Sequence, residues 1–210
     1  MNSRITVRRI IGMILGIVIL SLGIALFKES GLGNDSISAL NMRLSELWQI
    51  PLGTEQLITN GLFLIVEFAF GRRYIGAGTL VNGIGVGYIV SFFYDLLQKF
   101  TVLPETLPAK LIWVIAGVLV ISLGVSLYQT ADLGIAPYDY LAIGLKDHTP
   151  LPYLWCRILT DSVTALTAFL LGGLIGPGTI ICTLGLGPFV SFFTKHVSMK
   201  LMKTGTSVSA

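Results

Sequence analysis

Apolar residues run along this chain in long, nearly unbroken blocks, and none of them alternates with period two. Six blocks have spanning length: Arg8 to Phe27, Glu55 to Phe70, Gly76 to Leu97, Leu111 to Tyr128, Tyr153 to Leu171 and Thr179 to His196. A bilayer core asks for about 17–25 such residues in a helix, and without alternation a barrel is excluded. Two further segments, Ser36 to Trp48 and Tyr138 to Asp147, are helix-like but short, and the first is interrupted by Asn41, Arg43 and Glu46. At about 1.5 Å per residue they fall well short of the roughly 30 Å of hydrocarbon, so each is expected as a re-entrant or interfacial half-helix.

The blocks repeat. Shifting the chain by 101 residues lays Leu22-Gly23-Ile24-Ala25 on Leu123-Gly124-Val125-Ser126, and Leu32-Gly33 on Leu133-Gly134. A shift of 100 lays Gly76, Gly78-Thr79 and Val90-Ser91-Phe92-Phe93 on Gly176, Gly178-Thr179 and Val190-Ser191-Phe192-Phe193. A common offset across both halves is the mark of a duplication. Three spans per repeat is an odd number, so the second half must enter the membrane from the opposite side. The expected architecture is an all-α polytopic membrane protein of six transmembrane helices plus two half-helices. It is built as two inverted three-helix repeats, 8–99 and 109–198, with a flexible cytoplasmic tail over 199–210.

Composition agrees. With 53% hydrophobic and 12% charged residues and a mean hydropathy of +0.81, too little polar surface exists to cover a water-soluble globule. Arg4, Arg8 and Arg9 precede the first block in the manner of a signal peptide, but its length and the lack of a small-residue cleavage site make it an uncleaved span. With both termini cytoplasmic, ten basic residues fall inside, Arg157 among them, against Lys28, Arg43, Lys99 and Lys110 outside, as the positive-inside rule requires. Basic residues at helix ends are not a nucleic-acid footprint. Cys156 and Cys182 read as buried small hydrophobes, and no cofactor or metal spacing is present.

At Leu133-Gly134-Ile135-Ala136-Pro137-Tyr138-Asp139, followed by Gly144-Leu145, the chain resembles the YczE/YyaS/YitT group of bacterial integral membrane proteins, the YczE-like branch in particular. The resemblance implies a bacterial inner-membrane location and supplies no substrate. The first repeat departs from the pattern, with Ser36 and Ser38 standing where Pro137 and Asp139 stand in the second.

Several polar residues are candidates for solute or ion binding. Arg157 and Asp161, four apart on one helix face, form either an intrahelical pair or a proton or cation site with Thr160 beside it. Asp139, in the first turn after Pro137, either supports its own helix or helps hold a ligand. Asp35 sits in a comparable helix-start cluster with Asn34 and Ser36, where capping is expected. Glu67 lies a turn or so from Arg72 and Arg73 and either snorkels toward them or couples transport. Asn60, on the same face as Glu67, and Asn82 belong at the bundle interior. The leading functional expectation is a small alternating-access transporter of a small polar or anionic solute, proton- or cation-coupled. A non-transporting scaffold or accessory protein for a partner complex and a channel are the alternatives, and homodimerisation is open. With no nucleophile elbow, metal motif or phosphate loop, an enzyme is not expected.

Overall fold

The computed structural model describes residues 7–100 and 104–202, and among them it is helical, with no strand. The helices are α1 (Val7–Glu29), α2 (Ser36–Trp48), α3 (Leu52–Phe70), α4 (Ala77–Phe100), α5 (Leu107–Thr130), α6 (Pro137–His148), α7 (Tyr153–Leu170), α8 (Pro177–Phe193) and α9 (Met199–Met202). A 3₁₀ turn, Arg72–Tyr74, joins α3 to α4, and a π turn, Thr194–Ser198, joins α8 to α9. Four stretches are long and apolar enough to cross a membrane: Val7–Glu29, Ala77–Phe100, Leu107–Thr130 and Pro177–Met202. The other two expected spans, α3 and α7, have the length but are diluted by Glu55, Asn60 and Glu67 in one and by Arg157 and Asp161 in the other.

The centre of the molecule is the α1–α5 pair. Gly16 lies against Gly124 and Tyr128, and Gly23 against Gly117 and Ile121, so rising numbers on α1 meet falling numbers on α5 and the two run antiparallel. A Cβ at Gly16 would stand 2.6 Å from the backbone nitrogen of Tyr128; only glycine lets the backbones approach this closely. Around the seam Ile17, Leu20, Ile24 and Phe27 interlock with Val114, Val118, Ile121 and Val125 in one buried cluster, to which α4 adds Val86 and Val90 and α8 adds Leu186 and Val190.

The two halves exchange contacts in matched pairs. α4 packs on α1 and α8 on α5, while α3 packs across on α6 and α7 across on α2. The Gly78 N–H donates to Leu133 O at 2.8 Å, and the Gly178 N–H donates to Leu32 O at 3.0 Å. Gly33 and Gly134, which follow those two leucines, take φ of +110° and +122°, a region that L side chains enter at a cost. Outward faces are apolar, with Ile65, Phe70, Leu170 and Leu174 exposed, as suits contact with lipid.

The expected tail needs correction at its start. Met199–Met202 form a helical turn, and Met202 is buried against Gly12 of α1. The Ser126 hydroxyl on α5 meets those of Thr194 (3.1 Å) and Ser198 (2.6 Å), which pins the π turn that carries this last turn inward. Residues 203–210, like Arg4, lie outside the described residues.

Candidate functional site

The two short helices, α2 and α6, begin inside the bundle. Ala136 is extended and Pro137 occupies the first turn of α6, so the missing proline N–H costs no helix bond there. α2 starts after Asp35, whose carboxylate accepts from the Ser38 N–H at 3.2 Å, the capping role expected of it. α2 then stops where Gln49 turns left-handed at φ 54°.

Asp139 does not cap its own helix. No side-chain cap is formed on α6, and the carboxylate reaches instead to other elements: Tyr128 Oη and Gln129 Nε2 at the end of α5, and Arg157 Nη1 on α7. Arg157 spends its Nε on Asp161 at 3.0 Å, the i,i+4 pair expected from spacing, and so bridges two aspartates. The second oxygen of Asp161 accepts from Tyr138 Oη at 2.6 Å, and that hydroxyl also meets Thr164 at 3.3 Å. The Tyr138 ring lies under the guanidinium, 5.3 Å from centroid to Cζ. Asp139, Arg157 and Asp161 are 6%, 7% and 4% exposed, so the cluster is an interior network with every carboxylate oxygen of Asp139 and Asp161 engaged. Arg157, counted above among the cytoplasmic charges, is therefore a core residue and gives no orienting charge.

A cavity opens beside this network. Its walls come from both halves of the chain: Leu20 and Ile24 of α1, Asp35 before α2, Ser38 and Asn41 of α2, Gln56 and Asn60 of α3, and Asn82 and Val86 of α4. Opposite stand Ile121 and Val125 of α5, Tyr138 and Asp139 of α6, Arg157 of α7 and Leu186 of α8. Five of the expected site residues, Asp35, Asn60, Asn82, Asp139 and Arg157, thus meet at one place, and Asp161 lies directly behind Arg157. Asn60 Nδ2 donates to Gly83 O at 3.0 Å, holding α3 to the glycine run of α4.

Two of the candidates, Thr160 and Glu67, stand off the cavity's lining. Thr160 turns back to its own helix, donating to Arg157 O at 3.0 Å, and does not line the cavity. Glu67 does not snorkel: it is 0% exposed with neither carboxylate oxygen partnered among the described residues, and its electrostatic neighbours are Asp139 and Tyr140. The arginines that were to receive it are committed elsewhere, Arg72 to Phe68 and Arg73 to Asp147 at 2.6 Å. Among the described residues no group of His, Cys, Asp and Glu could hold a metal ion, and both cysteines are free and buried.

Sequence reasoning missed Tyr128, Gln129, Tyr138, Asn41 and Gln56. Tyr138 was within reach, since it adjoins Pro137 and Asp139 in the interruption. Tyr128 sits at the end of an apolar block, and nothing in its spacing distinguishes it from an interfacial anchor.

Comparison with known proteins places the chain in a family. The profile of a family of unknown function, DUF6198, matches residues 7–195. The chain belongs to that family. It is 30% identical over 192 residues to the uncharacterized protein YyaS of Bacillus subtilis, covering 90% of this chain and 91% of that one. It is 28% identical over 178 residues to the uncharacterized membrane protein YczE of the same organism, covering 84% and 81%. An uncharacterized protein of Haemophilus influenzae is 28% identical over 186 residues, covering 89% and 83%. No solved structure matches. The family resemblance drawn from the 133–139 interruption is thereby borne out, and with four spanning-length apolar stretches the chain is a helical membrane protein.

Proposed function

We propose that this protein is a small secondary transporter of the bacterial inner membrane, multi-pass with both termini cytoplasmic. In this reading two inverted repeats, 8–99 and 109–198, each contribute three spans and one half-helix and enclose a central site for a small polar solute. The observation that carries it is the Asp139–Arg157–Asp161 network beside a cavity walled by both halves. Ionisable groups inside a bilayer are costly and persist where they face water, a solute or one another. Half-helices that begin at such a site, one from each repeat, are the build of carriers that alternate access around a fixed centre. The matched exchange of α3 onto α6 and α7 onto α2 supports the inversion. Asp161 serves as the coupling carboxylate, held by Arg157 and Tyr138 until a proton or cation competes for it.

Reconstitution tests this. A solute that stabilises the purified protein against heat is expected to enter proteoliposomes under an imposed gradient, and Asp161→Asn is expected to abolish that entry while the protein stays folded. Undiminished entry in the variant removes Asp161 from the mechanism. The inverted topology is tested separately, since Arg73→Cys and Lys99→Cys should label from opposite faces of the membrane.

A further inference from the structure

We infer that the central cavity takes a small organic cation, an alkylammonium in chemical class, in place of the anion that a buried arginine first suggests. This rests on the proposed solute site and names what it holds. Two carboxylates, Asp35 and Asp139, line the cavity and a third, Asp161, lies behind the one guanidinium among its described lining residues, Arg157, which is already divided between Asp139 and Asp161. Among the described lining residues no other positive group meets an anion. Asp139 and Asp161 already outnumber Arg157, and a monocation offsets only the further charge that Asp35 adds.

Independent polar atoms point the same way. Asn41 lines the cavity at 5% exposure, and its Oδ1 has no hydrogen-bond partner among the described residues; Asn82 Nδ2, also unpartnered there, is a donor and does not meet a cation. Asp35 Oδ1 is likewise unpartnered. A buried polar atom without a partner is costly and calls for an explanation. Asn41 Oδ1 and Asp35 Oδ1 are two acceptors, one within α2 and one at its N-cap, and an ammonium has three N–H donors to give. The remaining wall decides between an organic and a metal cation. Leu20, Ile24, Ile121 and Val125 form an aliphatic side supplied by the α1–α5 pair. A hard metal ion needs oxygens all round, whereas an alkyl chain is accommodated on such a wall with its charged head on the α2 acceptors.

The test is a headgroup series at constant chain length. Titration calorimetry and thermal shift on the full-length protein in nanodiscs should show saturable binding of n-propylammonium, and no binding of n-propanol or propionate at the same concentrations. Asn41→Leu and Asp35→Asn should each weaken n-propylammonium binding by about tenfold or more, the loss expected for a hydrogen bond to a charged group. Equal or tighter binding of propionate overturns the assignment, as does indifference of binding to both substitutions in protein that elutes and melts as the wild type does. Should either variant fail to fold, the wild-type series alone decides. Binding of n-propylammonium without gradient-driven flux upholds the cation site and sinks the transporter. Flux of a neutral or anionic solute with no ammonium binding does the reverse.

Discussion

Arg157 on α7 and Asp139 on α6 form a buried ion pair eighteen positions apart in sequence, and the same guanidinium holds Asp161 one helical turn along its own helix. One cation thus sits between two anions, joining α6 to α7, the helix that follows it. Most of what can be tested about the centre of the molecule comes from that asymmetry.

Removing the cation leaves two buried carboxylates facing each other. Arg157→Ala should destabilise by about 3–5 kcal/mol, the cost of stranding a buried charge, read as a fall in the thermal midpoint in detergent. Arg157→Lys should recover only part, because a point charge cannot serve two carboxylates in the forked geometry that Nε and Nη1 use here. Full recovery by lysine would show that charge alone, without bidentate shape, holds the network.

Glu67 should behave in the opposite way. Its carboxyl is wholly buried with neither oxygen partnered, so replacing it by a residue of similar volume and no polar atoms removes a cost of about 1–3 kcal/mol. Glu67→Met is expected to raise the thermal midpoint. If the carboxyl also serves transport, flux falls while stability rises, and that split separates a working group from a structural one.

The α1–α5 seam predicts a sharp contrast between glycines. Gly16→Val would drive a side chain into the backbone of α5, and the protein should be lost to aggregation or proteolysis on expression. Gly61→Ala, where an added Cβ meets nothing within 4 Å, should express and elute as the wild type does. Size-exclusion profiles of the two variants compare them directly.

One end of the molecule is tied between the halves by Arg73 with Asp147 (2.6 Å) and by Arg9 with Asp132 (2.7 Å), and at the other Arg43, paired locally with Glu46, donates through Nε to Leu171 O at 2.7 Å. Asp147 lies in the last turn of α6, next to the loop over which Cys156 is buried. Arg73→Ala should leave the thermal midpoint unchanged, since the pair is exposed and weak, yet it should speed modification of Cys156 by a small thiol reagent. An unchanged rate would mean that the tie does not hold α6 in place.

Much of this was written in the order of residues. Hydrophobic block length sets helices, because a bilayer leaves the backbone no other partner, and the helix bounds for α2 and α6 fall within a residue of those expected from the polar interruptions. The pair Arg157–Asp161 follows from helical spacing, and Asp35 as a cap follows from its place before an apolar run. The family resemblance follows from one short motif together with the repeat and the length, and the profile match over 7–195 shows the membership. What spacing could not supply was any contact between residues far apart in the chain. Asp139 abandons its own helix for Tyr128 and Arg157 because the end of α5 and the face of α7 converge there, and local periodicity carries no trace of that convergence. Glu67 loses its arginines for the same reason, since Asp147 reaches Arg73 from the other half. Side-chain spacing along a helix determines which residues share a face; only the packing of one helix on another decides what that face meets.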